Sequence, residues 1–292
     1  PLCLHRVDRH AILVNRAALR RAGLTDSNGG PASGRVIRDV DDALDMLVDD
    51  AMEPVLDAIP PPDASEDQQL FVESAKRYLR HGVTSTHMAL LEVERIEMLE
   101  RMERAGKLPL RVYGIVDGND DHLDDVLEAG PRHDARCRLS VAAIKLFADG
   151  ALGSRGAHLL EPYDDGSSGV VMTSADELVE RVREYTEAGF QVATHAIGDA
   201  AARAVLDAYE EVPDARRDEL RLRLEHAQML AREDGRRLAQ LDVIASIQPI
   251  HLRSDAVWAA NVLSDRQLER LYPWSDFPDD VVLAAGSDFP IE

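Results

Sequence analysis

A lysine lies among aliphatic residues in the stretch VAAIKLFADG, residues 141–150. It is one of only three lysines in a chain with thirty arginines, the others being Lys76 and Lys107. A buried ammonium is costly, so such a lysine either loses its proton or acquires a partner. Three interpretations are open for Lys145: a carbamate, formed with carbon dioxide, that bridges metal ions; an ion pair with Asp149; or a Schiff base with a carbonyl substrate.

Polar side chains near the ends of other apolar stretches favour the metal interpretation. They are four imidazoles and a carboxylate: His87, His195, His226, His251 and Asp288. Such groups are ligands of a divalent metal such as zinc. A single histidine in a strand is more often a hydrogen-bonded core residue, but several at equivalent strand ends, among ten histidines in all, indicate a shared site. Schiff-base chemistry would leave His195, His226 and Asp288 without a joint role.

The elements that would position these side chains alternate between strand and helix from residue 82 onward. Seven apolar stretches read as strands: 82–90, 110–118, 140–150, 189–198, 220–229, 242–251 and 281–290. Near-continuous apolar strands separated by amphipathic helices indicate a parallel sheet. Seven such units in a row favour an α/β fold of the (β/α)₈ TIM barrel type over a doubly wound sheet. In such a barrel the chemistry gathers at the C-terminal strand ends.

Residues 1–81 do not supply the eighth strand. The stretch HAILVNRAALRRAG (10–23) reads as a helix that ends at Gly23, and DALDMLVDDAMEPVLDAIPPP (42–62) as another that ends in prolines. We therefore predict a helical segment before the first of the seven strands.

The charge balance excludes two classes of partner. Fifty-four acidic residues against 33 basic residues give a formal net charge of -21. Such a surface repels nucleic acid and anionic membranes, and no apolar stretch reaches the roughly 18 residues that span a bilayer. With no signal-peptide pattern, we expect a cytoplasmic protein, and the acid excess predicts a halophilic one. A homo-oligomer is compatible with the sequence.

Seven stretches share their residues and their order with one known family. They are RVDRHAILVNRAALRRAG (6–23), GVTSTH (82–87), IKLFADGALGSRGA (144–157), THAIGDAA (194–201), LEHAQML (224–230), SIQPIH (246–251) and AAGSDFPIE (284–292). On these residues the chain resembles the amidohydrolase superfamily and, within it, the YtcJ-like branch that includes N-substituted formamide deformylases. The resemblance implies an eight-stranded metal-dependent hydrolase barrel, usually fused to a small β-sandwich built from both chain ends.

The resemblance also implies roles for individual residues. Lys145 resembles the carbamylated lysine that bridges the metals, and His195 and His226 resemble the histidines of the fifth and sixth strands, which hold one metal. Asp288 matches the eighth-strand aspartate, a ligand that also accepts a proton from the metal-activated water. His10 and His251 match positions near the substrate.

Two residues of the loop after Lys145 carry open interpretations. Asp149 is either a support behind the metal ligands or a plain turn residue. Arg155 contacts a substrate carboxylate or serves as a strut in the loop. A phosphate cradle in DGALGSRG (149–156) is disfavoured, because its spacing matches no phosphate-loop pattern.

The departures from the family pattern concern both ligands and extent. The family's first strand carries a His-x-His pair that supplies two ligands to the other metal, and this sequence has no such pair. After LGSR the family usually has threonine, where this chain has Gly156. We therefore expect a fragment: residues 1–81 as a helical excursion between an absent barrel strand 1 and strand 2, residues 82–292 as barrel strands 2–8 with outer helices, and the β-sandwich outside this chain.

The resemblance implies a metal-dependent hydrolase of carbon–nitrogen bonds in small-molecule amides, whether N-formyl, N-acyl or cyclic. One or two divalent ions, zinc first among them, would activate water, with Asp288 as the general base. The alternative is a catalytically silent barrel with a binding or regulatory role, such as the regulation of exoenzyme production.

Overall fold

The computed structural model describes residues 1–5, 11–24, 35–38, 44–60 and 63–291. Their backbone contacts divide the chain into two units. The first, here the antiparallel unit, is Pro1–Asp67 with Ser287–Glu292, and the second, the parallel unit, is Gln68–Gly286. In these described ranges no helix is both long enough and apolar enough to cross a membrane.

The antiparallel unit is built on a four-stranded sheet of order β1-β2-β4-β3. The strands are β1 (Cys3–His5), β2 (Ala11–Val14), β3 (Arg35–Arg38) and β4 (Leu44–Val48), and the helices are α1 (Arg16–Arg21) and α2 (Glu53–Asp57). Ile12, Leu19 and Leu47 are among its buried core residues.

Two stretches predicted as helix in this unit are strands, so the helical interpretation is wrong there. Residues 11–14 pair with both β1 and β4, and helix α1 begins only after Asn15, whose side chain accepts a hydrogen bond from the Ala18 amide. Residues 44–48 pair with β2 and β3 on either side. Pairing with neighbouring strands outweighs local helix propensity at both places.

The parallel unit contains a seven-stranded parallel sheet of order β11-β10-β9-β8-β7-β6-β5, which confirms the predicted incomplete barrel with strands 2–8. Its strands are β5 (Ser85–Leu91), β6 (Arg111–Asp117), β7 (Leu139–Phe147), β8 (Gln191–Ala196), β9 (Arg223–His226), β10 (Ile244–Ile247) and β11 (Leu283–Ala285). Each strand overlaps one of the seven apolar stretches of the sequence.

Helices connect the strands and cover one face of the sheet. They are α3 (Ala64–Arg80), α4 (Val93–Arg104), α5 (Leu123–Ala129), α6 (Ala175–Glu187), α7 (Asp199–Glu210), α8 (Asp214–Leu220), α9 (Arg232–Gln240), α10 (Pro249–Asp255) and α11 (Asp265–Leu268). The main core includes Leu99, Ile144, Phe190, Leu206 and Leu224. A small separate cluster of Ile115, Ala143 and Ala193 marks the inner face of the strands. Because side chains alternate along a strand, residues in step with these three also point inward.

Candidate active site

Strand register places the candidate residues in two rows on the inner face. In the first row, Lys145 of β7 is opposite Ala193 of β8, which is opposite Arg223 of β9. In the second row, His195 is opposite Phe147 on one side and Glu225 on the other. Lys145 and His195 are therefore diagonal neighbours on adjacent strands, a spacing within reach of long side chains.

Lys145 is buried, with 6% of its surface exposed. Its Nζ lies 4.5 Å from the centroid of the Phe147 ring, within the range of a cation–π contact. Burial is the largest effect on the neighbouring groups; the positive charge of Lys145 adds to the lowering of the pKa of His195 and His226 and opposes the rise in the pKa of Asp149. The lysine that is anomalous in sequence therefore acts electrostatically on the candidate groups around it.

Three imidazoles follow one another along the C-terminal strand ends. The ring centroids of His195 and His226 are 4.5 Å apart, and those of His226 and His251 are 6.1 Å apart. His226 Nδ1 and the Nε2 atoms of His195 and His251 are buried without a hydrogen-bond partner. Buried polar atoms are rarely left unpaired, so three in adjacent rings indicate a ligand position.

Burial keeps the first two imidazoles neutral. It lowers the pKa of His195 well below its usual value, and the charges of His226 and Lys145 lower it further. Burial, followed by the charge of Lys145, lowers the pKa of His226 to about 3. Both rings therefore retain a nitrogen lone pair at neutral pH, the form in which imidazole binds a metal.

Hydrogen bonds assign the lone pair in each ring. A hydrogen bond with the Gly150 backbone raises the pKa of His195, and because Nε2 has no hydrogen-bond partner we assign this bond to Nδ1. A hydrogen bond with the Gln248 side chain likewise raises the pKa of His226. The ring nitrogen of His226 without a partner is Nδ1. Neighbouring backbone and side-chain acceptors thus leave lone pairs on His195 Nε2 and His226 Nδ1.

These residues fit part of a metal coordination sphere. Over the described ranges, no group of three or more His, Cys, Asp or Glu residues is placed to hold a metal ion. Among the described residues of the parallel unit, the candidate donors include the neutral imidazoles of His195 and His226, the unpaired Nε2 of His251 and the amine of Lys145. A metal at this position needs at least one further donor, which a carbamate on Lys145 would provide.

The remaining predicted residues differ in placement. Asp149 is fully buried beside His195, with Oδ1 3.5 Å from Nε2. Arg155 forms an ion pair with Asp165 in its own loop, the arrangement expected of a strut. Asp288 belongs to the antiparallel unit, so it is not among the residues that the parallel unit brings together. His10 lies outside the described residues.

A charged network around Arg223, in the same row of the sheet as Lys145, was not predicted from the sequence. Arg223 is 6% exposed and donates from Nε to Glu225 at 2.7 Å and from Nη2 to Ser246 at 3.0 Å. Its Nη1 lies 2.8 Å from His87 Nδ1, which must accept because a guanidinium only donates. The signal was present in RLRLEH (221–226), where an arginine and a glutamate alternate with leucines as Lys145 does among aliphatics.

Arg223→Met is expected to destabilise the protein by about 3–5 kcal/mol, because it leaves the Glu225 carboxylate buried without its partner. Urea denaturation gives the free energy of unfolding. The matched control is Arg101→Met, which removes an exposed pair with Glu97 at 3.4 Å and should cost less than about 1 kcal/mol. Equal losses in the two variants would show that the inner network adds nothing beyond a surface pair.

Gly118→Ala is expected to lower the free energy of unfolding by about 1–3 kcal/mol, the usual range for overpacking a filled core. A Cβ at Gly118 would lie 2.5 Å from the Lys145 carbonyl oxygen, which accepts a hydrogen bond from the Gly118 amide. The substitution therefore displaces the backbone that carries Lys145. Thermal unfolding checks the loss against Gly286→Ala, where an added Cβ meets no atom within 4 Å. A loss in the control as large as in Gly118→Ala would contradict this explanation.

The chain is similar to known proteins over most or all of its length. A protein-family model described as "Amidohydrolase family" matches residues 1–292. "Putative amidohydrolase YtcJ" of Bacillus subtilis (strain 168) is 34% identical over 305 residues, which cover 100% of this chain and 56% of that protein. "N-substituted formamide deformylase" of Arthrobacter pascens is 27% identical over 256 residues, covering 83% of this chain and 47% of the relative.

A solved structure agrees with these sequence matches. The crystal structure of an uncharacterized metal-dependent hydrolase from Pyrococcus horikoshii OT3 is similar with a TM-score of 0.82 at 26% sequence identity. The similarity covers 100% of this chain and 57% of that one. This chain thus spans about half the length of the proteins that it matches.

Proposed function

This chain belongs to the amidohydrolase family, and on that basis we propose that it hydrolyses a carbon–nitrogen bond of a small amide with the help of a divalent metal. The metal would be held by His195 and His226, with Lys145 as a third ligand.

One observation carries the proposal: buried, neutral imidazoles with unpaired nitrogens lie beside the buried Lys145. A purely structural histidine pair would satisfy both ring nitrogens, because an unpaired buried polar atom costs about 1–3 kcal/mol. The name of the Pyrococcus horikoshii protein, a metal-dependent hydrolase, supports the same interpretation.

Each residue has a separate task in the proposed mechanism. When bound, a divalent metal, zinc first among the candidates, lowers the pKa of water toward neutrality and polarises the scissile carbonyl. His195 and His226 present neutral nitrogens to it. To become a ligand, the Lys145 ammonium would first lose a proton; Nζ would then add to carbon dioxide, forming an N–C bond and releasing a second proton, and the resulting carbamate would offer two oxygen donors. Asp288 as proton acceptor stays a prediction from the resemblance.

The proposed substrates are small-molecule amides, including N-formyl, N-acyl and cyclic ones. The family match supports this class, and the printed name of the Arthrobacter pascens relative supports an N-substituted formamide within it. The cytoplasmic location, the salt adaptation and the absence of nucleic-acid partners stay predictions from composition.

The test uses the protein expressed over its whole natural reading frame. We expect the purified protein to contain zinc or another divalent metal by elemental analysis, and to hydrolyse a panel of N-substituted formamides and N-acyl amino acids. Removal of the metal with a chelator should abolish turnover, and its return should restore it. Lys145→Ala combined with Asp288→Asn should be inactive.

Two results would contradict the proposal. Hydrolysis unaffected by the double substitution would remove Lys145 and Asp288 from the mechanism. A protein free of metal under all growth conditions, with no turnover of any amide, would favour the binding or regulatory alternative instead.

A further inference from the structure

Asp149 is a fully buried carboxylate whose contacts are almost entirely to backbone amides. Its Oδ1 accepts from the Ile197 amide at 3.0 Å. Its Oδ2 accepts from the amides of Gly198 at 2.8 Å and His158 at 2.8 Å. Burial raises the pKa of Asp149 to about 7, and the three amides with the Lys145 charge act in the opposite direction. A plain turn residue would be exposed and would bond only within its own turn.

These three bonds join two separate loops. His158 closes the loop that begins at Asp149 after β7, whereas Ile197 and Gly198 form the turn between β8 and α7. The His158 carbonyl in turn accepts from the amides of Ala200 and Ala201 at 3.1 and 3.3 Å. The approach is so close that a Cβ at residue 198 would lie 2.0 Å from the His158 oxygen, so only glycine fits there.

The loop that begins at Asp149 also contacts His195. The backbone carbonyl of His195 accepts a hydrogen bond from the amide of Ala148 at 2.9 Å, and Ala148 directly precedes Asp149 in the chain. A hydrogen bond with the backbone of Gly150, directly after Asp149, raises the pKa of His195, and we assign it to Nδ1 because Nε2 has no hydrogen-bond partner. Its Nε2 faces Asp149 Oδ1 at 3.5 Å, too long for a hydrogen bond. Residues on both sides of Asp149 therefore contact His195.

We propose that Asp149 is a positioning residue for His195: by fixing the loop that carries the Gly150 carbonyl, it holds the imidazole as the Nδ1–H tautomer with its lone pair on Nε2. This inference rests on the proposed metal-dependent function only in assigning the Nε2 lone pair to a metal. The tautomer itself is a property of the metal-free protein. The sequence alone left Asp149 between support and turn residue, and these contacts favour support.

Asp149→Asn tests the proposal. An Asn side chain offers one oxygen and one NH₂ to three amide donors, so at least one amide loses its partner and the Gly150 carbonyl shifts away from the ring. The matched control is Asp199→Asn. Asp199 is also buried and also accepts a loop amide, from Leu160 at 2.8 Å, and it pairs with Arg270 rather than with His195.

Two measurements separate positioning from stability. In metal-free protein carrying ¹⁵N-labelled histidine, imidazole nitrogen shifts report the tautomer of His195, assigned through His195→Gln. We expect the Nδ1–H form in the wild type and in Asp199→Asn, and loss of its dominance in Asp149→Asn. Titration with Co²⁺ should show about 10–100-fold weaker binding in Asp149→Asn, the usual effect of removing a support behind a ligand, and a change below about twofold in the control.

The outcomes distinguish this inference from the function that it accompanies. An unchanged His195 tautomer in Asp149→Asn, or equal changes in both variants, would overturn the positioning role even if Co²⁺ binds. Failure of the wild type to bind Co²⁺ would contradict the proposed function, and the nitrogen shifts would still decide the role of Asp149. If Asp149→Asn does not fold, Asp149→Glu takes its place, since it keeps the charge and moves the oxygens by one methylene.

Discussion

Lys145→Met is expected to lower kcat/KM for amide hydrolysis by about 10²–10³-fold, the loss typical of removing one preorganised electrostatic group from an active site. Met keeps the length and the apolar stem of the buried side chain and removes the amine. The fold should survive, because Glu225 keeps its partner Arg223 at 2.7 Å and Asp149 keeps its three amide donors. Steady-state kinetics, with circular dichroism to confirm folding, measure the effect.

The chain provides its own control for this substitution. Lys107→Met removes the same group from an exposed position, and it should leave both the kinetics and the stability unchanged. Turnover of Lys145→Met within about twofold of the wild type would show that Lys145 has no part in the reaction.

The inner rows of the sheet could be predicted from the sequence because strand ends carry their own signal. Apolar stretches of strand length, each with one misplaced polar residue, are enough to locate Lys145, His195 and His226. The parallel register then follows from strand–helix alternation, and neighbouring strand ends necessarily converge at one edge. A local sequence pattern and a known layer architecture are therefore enough to place these three residues on their strands.

Other features depend on contacts that no local pattern encodes. Residues 11–14 and 44–48 have helix-like periodicity and become strands by pairing with each other and with β1 and β3. The three amides on Asp149 come from residues 9 to 49 positions away. The Arg223 contact with His87 spans 136 positions and crosses from β9 to the far edge strand β5. Long-range pairing of this kind appears only in the folded chain.

The charged side chains of the site are divided between the two rows: the cations lie in the first row and a carboxylate lies in the second. Arg223 and Lys145 are both cationic and flank the small Ala193 in the first row. Burial opposes ionisation of Glu225 in the second row, but Arg223 and then Lys145 hold the pKa of its carboxyl below the usual value. Burial keeps His195 and His226 neutral; the Lys145 charge lowers the pKa of both further, and His226 also lowers the pKa of His195. One buried lysine thereby keeps the carboxylate ionised and the imidazoles ready to bind a cation.

His195→Ala and His226→Ala are each expected to weaken Zn²⁺ binding by more than about 100-fold, which exceeds the 10–100-fold effect of losing an outer support. The two rings are 4.5 Å apart and their lone pairs are proposed to serve one ion. Removing the second ring should therefore cost much less once the first is gone, with a coupling energy of about 0.5–3 kcal/mol. Competition with a chromophoric chelator gives the affinities of wild type, both single variants and the double variant.

His81→Ala is the control, because its imidazole is exposed and outside the site, and it should leave the affinity unchanged. Additive losses in the double variant would mean that the two histidines bind separate ions or none in common. The single-ion interpretation would then be wrong even though each histidine matters alone. A coupling energy within the expected range, together with one equivalent of Zn²⁺ per chain in the wild type, would instead require both imidazoles on the same ion.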